Sequence, residues 1–83
     1  MDRWDEMLEK YRANPVGIPF SKVEALLKGF GFESRHRSGS HYVFYHKLLP
    51  QYHLTIPKHD PVKPPYIRKA VQLVDLLREI GGL

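Results

Sequence analysis

The stretch Phe32-Glu33-Ser34-Arg35-His36-Arg37-Ser38-Gly39-Ser40-His41-Tyr42-Val43-Phe44-Tyr45-His46 decides the fold. Its residues read with a period of two, rich in β-branched and aromatic side chains, and Ser38-Gly39-Ser40 breaks the run where a turn needs glycine's backbone freedom. A second run, Tyr52-His53-Leu54-Thr55-Ile56, follows across Lys47-Leu48-Leu49-Pro50-Gln51. The pattern predicts three short antiparallel strands over 32–37, 41–46 and 52–56. Beyond them, Pro57-Lys58-His59-Asp60-Pro61-Val62-Lys63-Pro64 is too rich in proline, which lacks an N–H, to extend the sheet.

Helical periodicity flanks this region. From 2 to 13, Trp4, Met7, Leu8 and Tyr11 form one apolar stripe, and Asn14-Pro15-Val16-Gly17 stops it. Ser21-Lys22-Val23-Glu24 reads as a capping box, the Ser21 hydroxyl accepting from the Glu24 N–H while the Glu24 side chain reaches back. A second helix is therefore expected from about Lys22 to Lys28 or Gly29, burying Val23, Leu26, Leu27 and then Phe30. A third begins near Pro65, places Ile67, Val71, Val74 and Leu77 on one face with Ala70 and Leu73 beside them, and ends at Gly81-Gly82. This order predicts an α+β domain of two layers, a three-stranded antiparallel sheet with helices on one face and the other face or an edge available. The last two helices and the sheet resemble a double-stranded-RNA-binding domain, in which loops and a helix N-terminus grip phosphates. Lys63, Arg68 and Lys69 fall where that grip belongs, although Arg68 and Lys69 equally suit the wet face of the last helix.

At 83 residues the chain suffices for one domain with one small core. It has no cysteine, which removes disulfides, thiolate metal sites and a cysteine nucleophile. No apolar run approaches the ~20 residues of a membrane span, and Met1-Asp2-Arg3-Trp4-Asp5-Glu6 does not read as a secretory signal, so a soluble cytoplasmic chain is expected. The net charge of +4 is concentrated: between Arg35 and Lys69 seven cations face one acid, Asp60, and all five histidines lie in the same window. With aromatic residues interleaved, this patch favours a phosphate backbone as partner.

Within the patch, His41 opens a strand behind Gly39, whose freedom permits close approach of the backbone to a phosphate. Imidazole, with an ordinary pKa of ~6.5, can take the proton of an RNA 2′-OH near neutral pH, so that the oxygen attacks the adjacent phosphorus without metal. Ser40 can bind the phosphate or fix the imidazole. His59 is the candidate acid for the leaving oxygen, or else a residue that caps its own loop, and Lys58, Arg37 or Lys63 can stabilise the charge that develops. His36 reads as part of a basic strand. His46 and His53, which can face each other across a hairpin, are left outside the site, and Phe44 is expected beneath the last helix while Tyr45 or Tyr66 is exposed. The histidine spacings match no zinc pattern, and neither metal nor cofactor is expected.

Phe30-Gly31-Phe32, Gly39-Ser40-His41 with Phe44, Leu54-Thr55-Ile56-Pro57-Lys58-His59 and the closing Ile/Val/Leu helix together resemble the HicA toxin family over about 20–77. The resemblance implies a small ribonuclease of a type II toxin–antitoxin system that cuts mRNA and is neutralised by a HicB antitoxin, with His41 in the position of the family's catalytic histidine. The chain departs from the shortest members in its N-terminal helix, so that 1–17 reads as an extension to a core of 18–83, and in the longer segment from Lys47 to Tyr52, whose Leu48 and Leu49 suit either a partner site or a satellite of the core. The expectation is an endoribonuclease in which His41, with His59, acts on RNA held by Arg35, Arg37, Ser40, Lys58, Lys63, Arg68 and Lys69. A non-catalytic RNA-binding or protein-interaction module of the same fold remains the alternative.

Overall fold

The computed structural model describes residues 2–81 and resolves the chain into α1 (Arg3–Ala13), α2 (Phe20–Gly29), β1 (Glu33–Ser38), β2 (His41–Tyr45), β3 (His53–Pro57) and α3 (Pro64–Glu79). The three strands form one antiparallel sheet in the order β1-β2-β3. Opposite Phe44 stand Ser34 and Leu54; opposite Tyr42 stand His36 and Ile56. Because side chains alternate along a strand, Tyr42, Phe44, Leu54 and Ile56 all point to one side, where they join a single core with all three helices. Phe44, Ile56, Leu26, Leu27, Ile67, Val74 and Leu77 are fully buried there. The opposite face carries His41, Val43, Tyr45, Arg35 and Thr55 and has no helix on it, as the α+β, double-stranded-RNA-binding-like reading requires.

The strand boundaries differ from expectation by a residue. Phe32 leaves the sheet for the core, and its N–H closes α2 by donating to the Leu27 carbonyl at 3.0 Å. Pro57 completes β3 opposite His41, which an edge strand tolerates because the missing N–H takes nothing from a central ladder. His46 falls just past β2, so that Tyr45, and not His46, faces His53. The His46 ring is instead buried edge-on to Phe32 at 5.1 Å, and its Nδ1 accepts the Leu48 N–H at 3.0 Å. Leu49 is buried in the same fold-over while Leu48 is exposed, so the two leucines of this segment separate into core and surface. Phe44 belongs to the core as expected; Tyr45 and Tyr66 are both half-buried.

The capping box does not form. α2 starts at Phe20 behind Pro19, placing Ser21 and Glu24 inside the helix, where Glu24 pairs with Lys28 at 3.3 Å. The physical reason is tertiary: the Phe20 ring must reach Tyr42 and Phe44, at 5.3 and 6.1 Å, which draws the helix start upstream. Its first free N–H is then satisfied by the Asp60 carboxylate at 2.7 Å, a residue forty positions away. At the other end of the chain α3 begins one residue early, at Pro64, and Gly81 with φ of 80° follows its end; Gly82 lies outside the described residues.

α1 docks on α2 and α3, away from the open face of the sheet. Leu8 and Tyr11 are buried, as the stripe predicts, with Trp4 and Met7 half-buried against the core. Trp4 lies flat on Gly29, where a Cβ would stand 2.4 Å from an indole carbon. Two ion pairs rim this contact, Arg12 with Asp75 (2.7 and 2.8 Å) and Arg78 with Asp5. Burying Leu8 is worth roughly 1.5–3 kcal/mol, against about 0–1 for a surface ion pair, so apolar packing dominates the docking.

Gly29→Ala is expected to lower thermal stability in the native background, because the Trp4 ring must leave its seat. In a Trp4→Ala background the same change should raise stability by about 0.5–1 kcal/mol, the ordinary helical advantage of alanine. Equal effects in both backgrounds would show that the indole does not rest there. The Arg12 guanidinium holds the Asp75 carboxyl below the usual carboxylate range. A depressed folded value stabilises above the unfolded pKa of ~3.9 and is lost as pH falls through the folded one. Asp75→Asn should therefore cost no more than about 1 kcal/mol at neutral pH, since the pair is exposed, and the difference from the parent should vanish in denaturant melts at strongly acid pH.

Candidate functional site

One end of the molecule gathers the turn before His41, the end of β3 and the starts of two helices. The antiparallel order brings the β1–β2 turn, the start of β2 and the end of β3 together, and the Asp60–Phe20 bond brings the N-terminus of α2 to them. A second tie, the Val62 N–H donating to the Ile18 carbonyl at 2.8 Å, fixes the chain just before α3 begins at Pro64. Two helix N-termini, each the positive end of a peptide dipole, thus lie at the end of the fold where His41 opens β2.

The backbone in front of His41 is held from both sides. Gly39 takes a left-handed φ of 52°, which turns the chain from β1 into β2. From β1, the His36 Nε2–H donates to the Gly39 carbonyl, and the His36 ring packs on Tyr42 at a tilt of 47° with centroids 5.0 Å apart. From β3, the Lys58 N–H donates to the Ser40 carbonyl at 2.6 Å. His41 itself is exposed, between Ser38 and Pro57 in the ladder, and among the described residues no hydrogen bond occupies its ring. A rigid backbone carrying an unengaged imidazole suits a group that exchanges a proton with a ligand.

The expected cations fall in three places. Lys58 lies on the helical side, its Nζ 6.0 and 5.9 Å from the Phe20 and Tyr42 rings, and Lys63 precedes the first residue of α3. Arg35 and Arg37 stand on the open face, around Val43 and Thr55. Arg37 is the extra residue of a β-bulge, since His36 pairs with Tyr42 and Ser38 with His41. Arg68 and Lys69, neighbours in sequence, point into different grooves: Arg68 beside Tyr11 and Asp75, Lys69 beside Tyr52 and Leu73. Ser40 is exposed in the turn, and so is His59 beyond β3, whose backbone N–H turns back to the Pro57 carbonyl at 2.9 Å. Capping at this loop is done by Asp60, and no side-chain hydrogen bond among the described residues engages His59.

Sequence reasoning missed two residues of this end. His36 reads as one more member of a basic strand, yet it fastens the turn before His41; a histidine three positions before a turn glycine is the only trace of that role. Asp60 left no signal, because its partner is forty residues away.

A family model described as the HicA toxin of bacterial toxin–antitoxin matches residues 20–81. The chain belongs to the HicA toxin family. The match starts at the first residue of α2 and runs through α3, so the HicA portion contains His41, the sheet and both helix N-termini while α1 lies outside it. No curated protein and no solved structure matches this HicA chain.

Asp60→Ala should destabilise the HicA fold by about 1 kcal/mol, the usual cost of losing a carboxylate cap, and Asp60→Asn by less. The amide proton of Phe20 checks the cause: its hydrogen exchange should accelerate in Asp60→Ala beyond that of mid-helix amides. Unchanged exchange would mean that the carboxylate does not cap α2.

Proposed function

We propose that this chain is a toxin-type endoribonuclease that binds and cleaves mRNA without metal, with His41 as general base. The observation that carries the reading is the exposed, unengaged His41 ring on a backbone pinned by both neighbouring strands, at a cationic end of a HicA fold. In the proposed reaction His41 takes the proton of a ribose 2′-OH, and the 2′-oxygen bonds to the adjacent phosphorus. The bond from phosphorus to the 5′-oxygen breaks, leaving a 2′,3′-cyclic phosphate on one product and a 5′-hydroxyl on the other. The proton for the departing oxygen comes from His59, exposed and two residues beyond Pro57, the ladder partner of His41. Lys58, Lys63 and the Ser40 hydroxyl stabilise the phosphorane charge, helped by the dipoles of α2 and α3. Arg35, Arg37, Arg68 and Lys69 hold RNA further from the reacting atoms.

A protein antitoxin of the HicB type is the proposed partner. The cations of this end carry no ion pair among the described residues, so an acidic surface laid over it would neutralise them and exclude RNA at once.

Purified protein is expected to cleave single-stranded RNA in the presence of EDTA. His41→Ala should lose about 10²–10⁴ in rate, the range of a general base, with an unchanged melting temperature. His59→Ala should lose less and shift the alkaline limb of the pH–rate profile. A His41→Ala protein that cuts RNA at the parent rate would overturn the mechanism, and salt-dependent RNA binding with no cleavage by the parent chain would make it a binding module instead.

A further inference from the structure

The open face of the sheet holds a feature that the chemistry at His41 does not use. Three rows cross it: Ser38, His41 and Pro57; then Arg35, Val43 and Thr55; then Glu33, Tyr45 and His53. Val43 is only 5 % exposed although it stands outside the core and no helix covers this face. It is covered instead by the side chains around it, which border an open depression of about 400 Å³ lined by Arg35, His36, Arg37, Val43, His53 and Thr55. That volume falls within the ~300–1,000 Å³ of small-ligand sites.

The lining is one-sided in its chemistry. It offers two guanidinium groups, the His53 imidazole and a hydroxyl above Val43, and no carboxylate, while the His36 ring turns to Tyr42 on the helical side. Neither Arg35 nor Arg37 makes an ion pair among the described residues, although the chain has nine acids. Two like charges at one depression repel, so a stable protein gains nothing from the pair unless an anion joins them. The arginines are also placed in advance. The bulge aims Arg37, and Arg35 rests over the Tyr45 ring at 5.7 Å, with His53 edge-on to that ring at 6.4 Å. Val43 lies two residues along β2 from His41 on the same face, about 6.8 Å away, the reach of one nucleotide in an extended strand.

We propose that this depression is a subsite for the unpaired nucleotide next to the cleaved phosphate. Arg35 and Arg37 bind its phosphate, and His53 and Thr55 hydrogen-bond the base edge. The assignment rests on the reading that the His41 end acts on RNA, and it specifies the substrate further: a single strand laid along β2. A duplex keeps its bases stacked inside and cannot lower one into the depression, whereas unpaired bases are free to do so.

The test uses the full chain carrying His41→Ala, so that cleavage does not consume the ligand, and a labelled single-stranded oligoribonucleotide beside the matching duplex. Single strands should bind more tightly than duplex. On that background Arg35→Ala should weaken single-strand binding about tenfold and lower the slope of log affinity against log salt by ~0.7, while Arg35→Lys keeps the slope and recovers part of the affinity. His53→Ala should leave the slope unchanged and flatten the differences among the four homopolymers. Lys28→Ala, on the far side of α2 and paired with Glu24, serves as the control and should change neither. Amide and methyl NMR shifts confirm that each variant is folded, and Val43 methyls should move on addition of the single strand.

If Lys58→Ala weakens binding while Arg35→Ala, Arg37→Ala and His53→Ala do not, RNA remains the ligand and the subsite is wrong. Equal or tighter binding of duplex also overturns it. Absence of RNA binding at low salt by the parent chain removes the RNA reading and the subsite together.

Discussion

The hydrogen bond from the Phe20 N–H to the Asp60 carboxylate is the constraint on which the functional end depends. Without it, the loop after β3 is tied to the approach of α2 only by the Val62 to Ile18 backbone bond, and an unsatisfied helix N-terminus beside the core would cost free energy. With it, Phe20 enters the core against Tyr42 and Phe44, and Pro57 to Val62 is drawn across the end of the sheet. Lys58 comes to lie over the same two rings, and the start of α3 is set beside that of α2. A single carboxylate thus helps to bring Lys58 and the two helix N-termini together, while one of its oxygens is engaged by a backbone donor.

The distribution of charge follows a similar logic through the whole molecule. The ion pairs formed by Asp5, Glu9, Glu24 and Asp75 all lie on the helices, with Arg78, Arg12 and Lys28. Such exposed pairs contribute little to stability, and their larger effect is to cancel positive charge on the helical layer. The sheet face keeps Arg35 and Arg37, and the loop between β3 and α3 keeps Lys58 and Lys63, without carboxylate partners among the described residues. A modest net charge of +4 therefore becomes a polar distribution, with one neutralised side and one side that attracts polyanions.

Three of the histidines show how packing sorts chemically identical groups. His46 is buried against Phe32 and accepts a backbone N–H through Nδ1, which it can do only as a neutral ring. His36 is exposed but committed, donating to the Gly39 carbonyl. His41 alone opens the central strand with a free ring and a fixed backbone. The fold spends two of these three histidines on geometry and leaves the ring of the third unengaged, a division invisible in their even spacing of five residues along the chain.

By itself the sequence determined the sheet, the core-facing stripes and the candidate base. Alternation in 41–45 and the stripes of α1 and α3 are local patterns, and burial of Leu8, Tyr11, Phe44, Ile67, Val71 and Val74 follows from them directly. Gly39-Ser40-His41 is local as well, since a left-handed glycine turns the chain at that point whatever surrounds it. Only the tertiary structure decided the start of α2, because the pull of Phe20 into the core and the carboxylate of Asp60 outweigh a local capping box. It alone decided the separation of Arg68 from Lys69, the burial of Leu49 beside an exposed Leu48, and the depression around Val43. Those features arise from residues far apart in the chain. A local pattern records what a segment prefers, whereas a site of this kind exists only after the segments have competed for the same space and the same hydrogen-bond partners.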